Sequence, residues 1–215
     1  MIKDRLESLY HELTEDINLV AVSKTKTIED IMNAYNYGQR LFGENRALEL
    51  TEKYNKLPKD IKWNMIGHLQ SNKVKFIASF VDLIHSLDSM KLAKEINRQA
   101  EKNNRIINCL IQIKISKDDS KYGVSFNDFN EFFKYTNNLK FVNVVGLMGM
   151  ASLTNDDDVI KNEFKSISSM YSKIKLVDKN FKYLSIGMSN DYKLAINEGG
   201  NMIRIGSRIF GERKI

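Results

Sequence analysis

The chain of 215 residues has one cysteine and one proline. A single thiol excludes an internal disulfide framework, and Cys109, inside the apolar run 106–115, reads as a small core residue rather than a reactive thiol. With Pro58 alone and the glycines dispersed, no linker is visible, so one domain spanning 1–215 is expected. The three histidines, His11, His68 and His85, are far apart and show no paired Cys or His spacing, which indicates no metal site. No apolar run approaches the roughly 20 residues of a membrane span, and Met1-Ile-Lys-Asp-Arg-Leu lacks a signal-peptide core. A cytoplasmic protein without a membrane partner is the expectation.

Also missing is any basic run interleaved with aromatics. The net charge of +6 is spread along the chain among Asp and Glu, which describes a solvated surface with a mild attraction for small anions rather than a nucleic-acid groove.

What is present is alternation. Residues 3–15 carry Leu6, Leu9, Tyr10 and Leu13 on one helical face, ahead of the first strand at 19–23. Seven further strands are predicted at 40–43, 61–66, 80–85, 106–115, 142–148, 183–186 and 202–205, separated by helical patterns. The fourth helical pattern opens at Asp88 or Ser89, and a later helix is predicted to be capped by Ser189 or Asn190. Eight strand signals leave a closed (β/α)8 TIM-type barrel or an open doubly wound sheet. The count of eight, and the lack of a G-x-G-x-x-G word after the first strand, favour the barrel with an extra N-terminal helix.

The polar and glycine-containing words follow the strands, and in a barrel they converge on the C-terminal face, where active sites lie. The first strand ends at Lys24, at the rim of a buried sheet, where desolvation turns an amine into a nucleophile; an ordinary surface lysine opening a loop is the competing reading. Gly187-Met-Ser189 and Gly206-Ser207 follow the seventh and eighth strands and offer backbone N–H groups and hydroxyls as a phosphate cradle, or else plain capping motifs. Strand eight neighbours strand one in a closed barrel. An amine beside a phosphate cup describes a ligand with an aldehyde at one end and a phosphate at the other, and pyridoxal 5′-phosphate fits. Arg204, pointing inward, would face the ring nitrogen without accepting its proton and so weaken the electron sink; a salt bridge to Glu44 is the alternative.

On these words the chain resembles the pyridoxal phosphate homeostasis proteins, relatives of the barrel domain of bacterial alanine racemase. The match is carried by Ala21-Val-Ser-Lys-Thr-Lys26, Phe42-Gly-Glu-Asn45, Ile66-Gly67 with Leu69-Gln-Ser-Asn-Lys73, and Gly146-Leu-Met148. It continues in Leu184-Ser-Ile-Gly-Met-Ser189 with Asp191, and in Arg204-Ile-Gly-Ser207 with Ile209-Phe-Gly211. The resemblance implies a Schiff base of the cofactor on Lys24, with Asn45 bordering it and Met188 lining the pocket. It implies that Ser189, Gly206 and Ser207 hold the phosphate and that Arg204 lies against the pyridine nitrogen. It further implies buffering or delivery of pyridoxal phosphate, with apo-forms of pyridoxal-phosphate enzymes as recipients and no robust turnover. Thr27, Arg46, Asn64, Met65 and His68 depart from the usual pattern, and Arg46 and His68 alter the rim.

Racemase relatives carry a second, β-rich domain that supplies the opposite base, and no counterpart is evident here; a monomeric carrier, not an enzyme, is expected. His68, His85 or Tyr122 would reverse that expectation by facing the cofactor. The alternatives are a slow pyridoxal-phosphate-dependent amino-acid racemase or eliminase, and a Schiff-base aldolase for a phosphorylated sugar.

Overall fold

The computed structural model describes residues 1–116, 118 and 122–212. Among them eight parallel strands close in sequence order into a barrel, β1 pairing with both β2 and β8. The strands are β1 (Asn18–Val22), β2 (Leu41–Glu44), β3 (Lys62–Met65), β4 (Leu83–Leu87), β5 (Ile107–Ile113), β6 (Val142–Gly149), β7 (Tyr183–Met188) and β8 (Met202–Ile205). Helix α1 (Ile2–Glu12) precedes β1. α2 (Ile28–Asn36), α3 (Ala47–Lys56), α4 (Met90–Lys102), α5 (Phe129–Asn137), α6 (Asp157–Val177), α7 (Tyr192–Asn197) and α8 (Ser207–Phe210) follow strands, and a 3₁₀ turn, Ser71–Phe76, links β3 to β4. The barrel prediction therefore holds, the extra N-terminal helix included.

Because side chains alternate across a strand, each strand feeds two cores. One set, including Ala21, Phe42, Trp63, Ile84, Leu184 and Ile203, packs outward beneath the helices. The other, Val20, Leu83, Leu110, Val145, Met148 and Met202, forms a separate apolar cluster that fills the lower barrel. Two residues further along their strands, Leu83, Tyr183 and Met202 give way to His85, Ser185 and Arg204, all buried. A polar layer thus caps the apolar one, and two residues beyond that the strands reach the rim.

Several boundaries differ by up to three residues from the sequence expectation, and three of the differences bear on the site. The fourth strand starts at Leu83 instead of 80, because Phe80 still belongs to the turn, its N–H donating to the Ile77 carbonyl. Glu44, just beyond the strand predicted at 40–43, is the buried last residue of β2, and α3 begins at Ala47. Neither Ser189 nor Asn190 caps the helix after β7; Asp191 holds that position, and its carboxylate accepts the Met188 N–H at 2.5 Å.

Candidate functional site

Strand β1 delivers Val20 and then Val22 to one side, and Lys24 stands two residues further, half-buried where the strand ends. Thr25 follows at φ +64°, a left-handed turn that a β-branched residue seldom adopts. Next to β1 lies β8, with Val20 opposite Arg204, so Gly206 emerges beside the Lys24 segment; the nearest atoms to a Cβ built on Gly206 would be those of Val22, at 3.5 Å. That is ordinary contact, and Gly206 has an ordinary negative φ of −114°. The protein's own packing does not demand glycine there, which leaves the space for a ligand approaching the backbone. Gly67 behaves in the opposite way, since a Cβ would stand 2.5 Å from the Asn45 carbonyl oxygen. Its glycine is what lets the half-buried Asn45 pack against the next loop.

The loops after β7 and β8 touch: the Gly206 N–H donates to Ser189 Oγ at 3.3 Å. Ser207, exposed, opens α8 beside them. Met188 pairs with Arg204 after a register shift and remains partly exposed. Asp191, nearly buried, has its carboxyl pushed up by burial, opposed by the Met188 N–H bond and the Arg204 charge, so it keeps a proton more readily than a surface aspartate.

Beneath this rim runs a chain of hydrogen bonds across the barrel. Asn64 spends its amide N–H groups on the carbonyls of Phe42 (3.2 Å) and Lys62 (3.0 Å), leaving Oδ1 as an acceptor 2.9 Å from His85 Nε2. His85 Nε2 must therefore donate. The other nitrogen, Nδ1, 3.1 Å from Ser185 Oγ, accepts the serine proton, and Ser185 Oγ accepts in turn from Arg204 Nη1 at 2.7 Å. Arg204 also donates to the Ser185 carbonyl at 2.8 Å and the Gly149 carbonyl at 3.0 Å. Burial, then the Arg204 charge, hold His85 well below its ordinary value, so it is neutral here. Burial lowers Arg204 to about 10, opposed by Asp191, and it remains a cation at neutral pH. The alternative pairing of Arg204 with Glu44 is not formed: the ion pair of Glu44 is with Lys53, at 2.8 Å.

His68 and Tyr122, on loops after β3 and β5, stack with ring centroids 3.9 Å apart at 16°, and His68 Nδ1 lies 3.1 Å from Asp88 Oδ2. Beside them a cavity of about 480 Å³ opens between Asn45, Arg46, His68, Leu69 and Lys73. It adjoins the β2–β3 side of the mouth and not the Gly206 cup.

Of the residues expected from sequence, Ser189 and Gly206 are in contact, Arg204 lies in the floor, and Lys24 stands two residues past the end of the strand next to β8. Asn45 lines the neighbouring cavity and Met188 the rim. Sequence reasoning missed Asn64 and Ser185 as partners of His85 and Arg204, and it missed Lys53, buried at 6% exposure and bonded to the carbonyl of Ser23, the residue before Lys24. Only the Glu49–Lys53 spacing of four gave a cue to the last. In chemical terms the donor set fits a small molecule with a carbonyl for the amine and a phosphate for the hydroxyls and N–H groups.

The sequence profile described as "Alanine racemase, N-terminal domain" matches residues 2–214. The chain is 38% identical over 198 residues to the "Pyridoxal phosphate homeostasis protein" of Aquifex aeolicus (strain VF5), covering 91% of this chain and 87% of that one. PipY of Synechococcus elongatus PCC7942, solved without PLP, superposes with a TM-score of 0.92 at 34% identity, covering 98% of this chain and 100% of that one. The same protein with PLP bound gives 0.88 at 33%, with coverages of 98% and 100%. Alanine racemase of Clostridium difficile 630 shares the fold, with a TM-score of 0.81 at 15% identity, covering 100% of this chain and 56% of that one.

Proposed function

The chain belongs to the pyridoxal phosphate homeostasis proteins, within the alanine racemase N-terminal domain family, and from that premise we propose what it does. It binds pyridoxal 5′-phosphate and acts in the cell's pyridoxal phosphate homeostasis, as one cofactor-binding barrel over residues 1–215. Lys24 holds the cofactor as a Schiff base; Ser189, Gly206 and Ser207 take the phosphate; Asn45 and Met188 border it; Arg204 faces the ring nitrogen. The observation that carries this reading is the nearness of Gly206, just past the end of β8, to Val22 in the segment that leads to Lys24, together with the fact that the fold does not require Gly206 to lack a side chain. When bound, the group supplies an electron-withdrawing ring. An arginine in the floor accepts no proton from that ring, which suits storage and delivery better than fast carbanion chemistry.

In this reading the protein is a cytoplasmic monomer that buffers the cofactor and delivers it to apoenzymes. No helix among the described residues is long and apolar enough to cross a membrane. The visible absorbance of the purified protein, followed by borohydride reduction and peptide mapping, tests it. A yellow protein with a pyridoxyl label on Lys24 is expected. A protein that stays colourless and unlabelled after adding pyridoxal phosphate sinks the reading and brings the phosphosugar aldolase forward.

One observation favours a second reading, a slow racemase or eliminase. His68, backed by Asp88 at 3.1 Å and stacked on Tyr122, sits on the β3–β4 rim across the barrel from β7 and β8 and is a candidate for an opposing base. Rapid Lys24-dependent exchange of an amino acid's α-hydrogen in deuterated water would establish that activity.

A further inference from the structure

The peptide units on both sides of Lys24 are tied to one buried cluster. Lys53 Nζ, on α3, donates to the Ser23 carbonyl at 2.8 Å, to Glu44 Oε1 at 2.8 Å and to Glu49 Oε1 at 2.7 Å. The Thr25 N–H donates to the same Glu49 oxygen at 2.6 Å, and the Ser23 hydroxyl to Glu44 Oε1 at 2.5 Å. Glu49 and Lys53 are spaced by one helical turn, so α3 presents both toward the end of β1. The carbonyl before Lys24 and the amide after it are therefore held by the same helix, with Lys24 between them and the left-handed Thr25 directly after.

Such a cluster is a poor device for stability alone. Glu44 and Lys53 are almost completely buried, and Glu44 Oε2 has no hydrogen-bond partner. Desolvation consumes most of what the ion pair gains. What the arrangement provides is position: a residue whose flanking peptides are fixed does not have to be ordered when a ligand arrives.

We propose that Glu44, Glu49 and Lys53 are positioning residues for Lys24, presenting its amine to the carbonyl carbon of the bound aldehyde. The proposal rests on the cofactor reading above. In the step served, the unprotonated amine nitrogen adds to that carbon; a C=N bond forms, and the carbonyl oxygen leaves as water with the two amine protons. Hydrolysis is the reverse, so the cluster governs capture and release alike.

Glu49→Ala is the variant to use, because it unties Thr25 and leaves the Lys53–Glu44 pair intact. Capture of pyridoxal phosphate, and of pyridoxal, which lacks the phosphate, is followed by visible absorbance. Binding of pyridoxine 5′-phosphate, which keeps the phosphate but has an alcohol in place of the aldehyde, is measured separately by calorimetry. Expected is a loss of about tenfold in capture of both aldehydes, with the alcohol phosphate bound within about twofold of wild type, and recovery in Glu49→Gln, whose amide oxygen still accepts both bonds. Equal weakening of all three ligands, or no weakening of any, overturns the proposal. A labelled wild type with an unaffected Glu49→Ala variant overturns the positioning role alone, whereas a wild type that takes no label on Lys24 overturns the cofactor reading and this inference together.

Discussion

His85 Nε2 lies 2.9 Å from Asn64 Oδ1, and because Asn64 has committed both N–H bonds to the backbone, that contact sets the direction of the hydrogen bonds leading to Arg204. His85 donates to Asn64, Ser185 donates to His85, and Arg204 donates to Ser185. A second proton on His85 would face the Ser185 proton and, behind it, a guanidinium. This imidazole, one of the groups considered as a second base, is committed to holding the floor.

The neutrality of His85 has a consequence for stability against pH. In the unfolded chain it takes up a proton below its ordinary value of 6.5, while burial and Arg204 keep it neutral in the fold. The unfolded state then binds more protons, so the contribution is complete above pH 6.5 and is lost as pH falls below it, by up to about 1.4 kcal/mol per pH unit. Urea unfolding of wild type and His85→Gln at pH 7 and pH 5 should show a smaller acid loss in the variant; parallel losses would contradict the burial of a neutral imidazole.

Ser185→Ala removes the link between His85 and Arg204. His85 Nδ1 and one Arg204 N–H lose their partner in a buried layer, and stability should fall by about 1–3 kcal/mol. Arg204 keeps its bonds to the Ser185 and Gly149 carbonyls, so the barrel should persist, while the absorbance of the bound cofactor shifts as the guanidinium loosens. Denaturant melts and a pyridoxal phosphate titration of the same sample give both readouts.

Two glycines should answer alanine substitution in opposite ways. Gly206→Ala meets only ordinary contact with Val22, so its melting temperature should stay within a few degrees of wild type. Its affinity for pyridoxal phosphate should drop by about tenfold, with pyridoxal little affected. Gly67→Ala would put a methyl 2.5 Å from the Asn45 carbonyl oxygen and should cost several degrees of melting temperature before any ligand is added. A Gly206→Ala protein that binds the phosphate normally would move the cup elsewhere.

Cys109 is fully buried on β5, and burial pushes its thiol far above the ordinary range. It should resist a thiol reagent such as Ellman's at neutral pH and react stoichiometrically only after unfolding. Fast labelling of the folded protein would contradict its place in the core.

The alternation of apolar strands and amphipathic helices was plain in the sequence, because the two periods, near two and near 3.6, arise from backbone geometry alone. The barrel followed from the count of eight, and Lys24, Gly206 and Arg204 could be assigned to strand ends because each stands at or just beyond an apolar run. Boundaries were less visible. Phe80 is as apolar as the strand it precedes, yet its N–H belongs to a turn, and Glu44 looks like a helix opener until β2 is seen to bury it.

The amino-acid sequence by itself determined the order of the elements, the face on which the functional words gather and the chemical character of the ligand, since these depend on residue type and on neighbours a few positions away. Only the tertiary structure decided which groups hold the site in shape. Asn64, His85, Ser185 and Arg204 meet from four strands, with His85 and Ser185 100 positions apart, and Lys53 reaches the Ser23 carbonyl from a helix 30 positions later. Such contacts arise because closing the sheet brings distant strands around one lumen, where each buried polar group must find a partner.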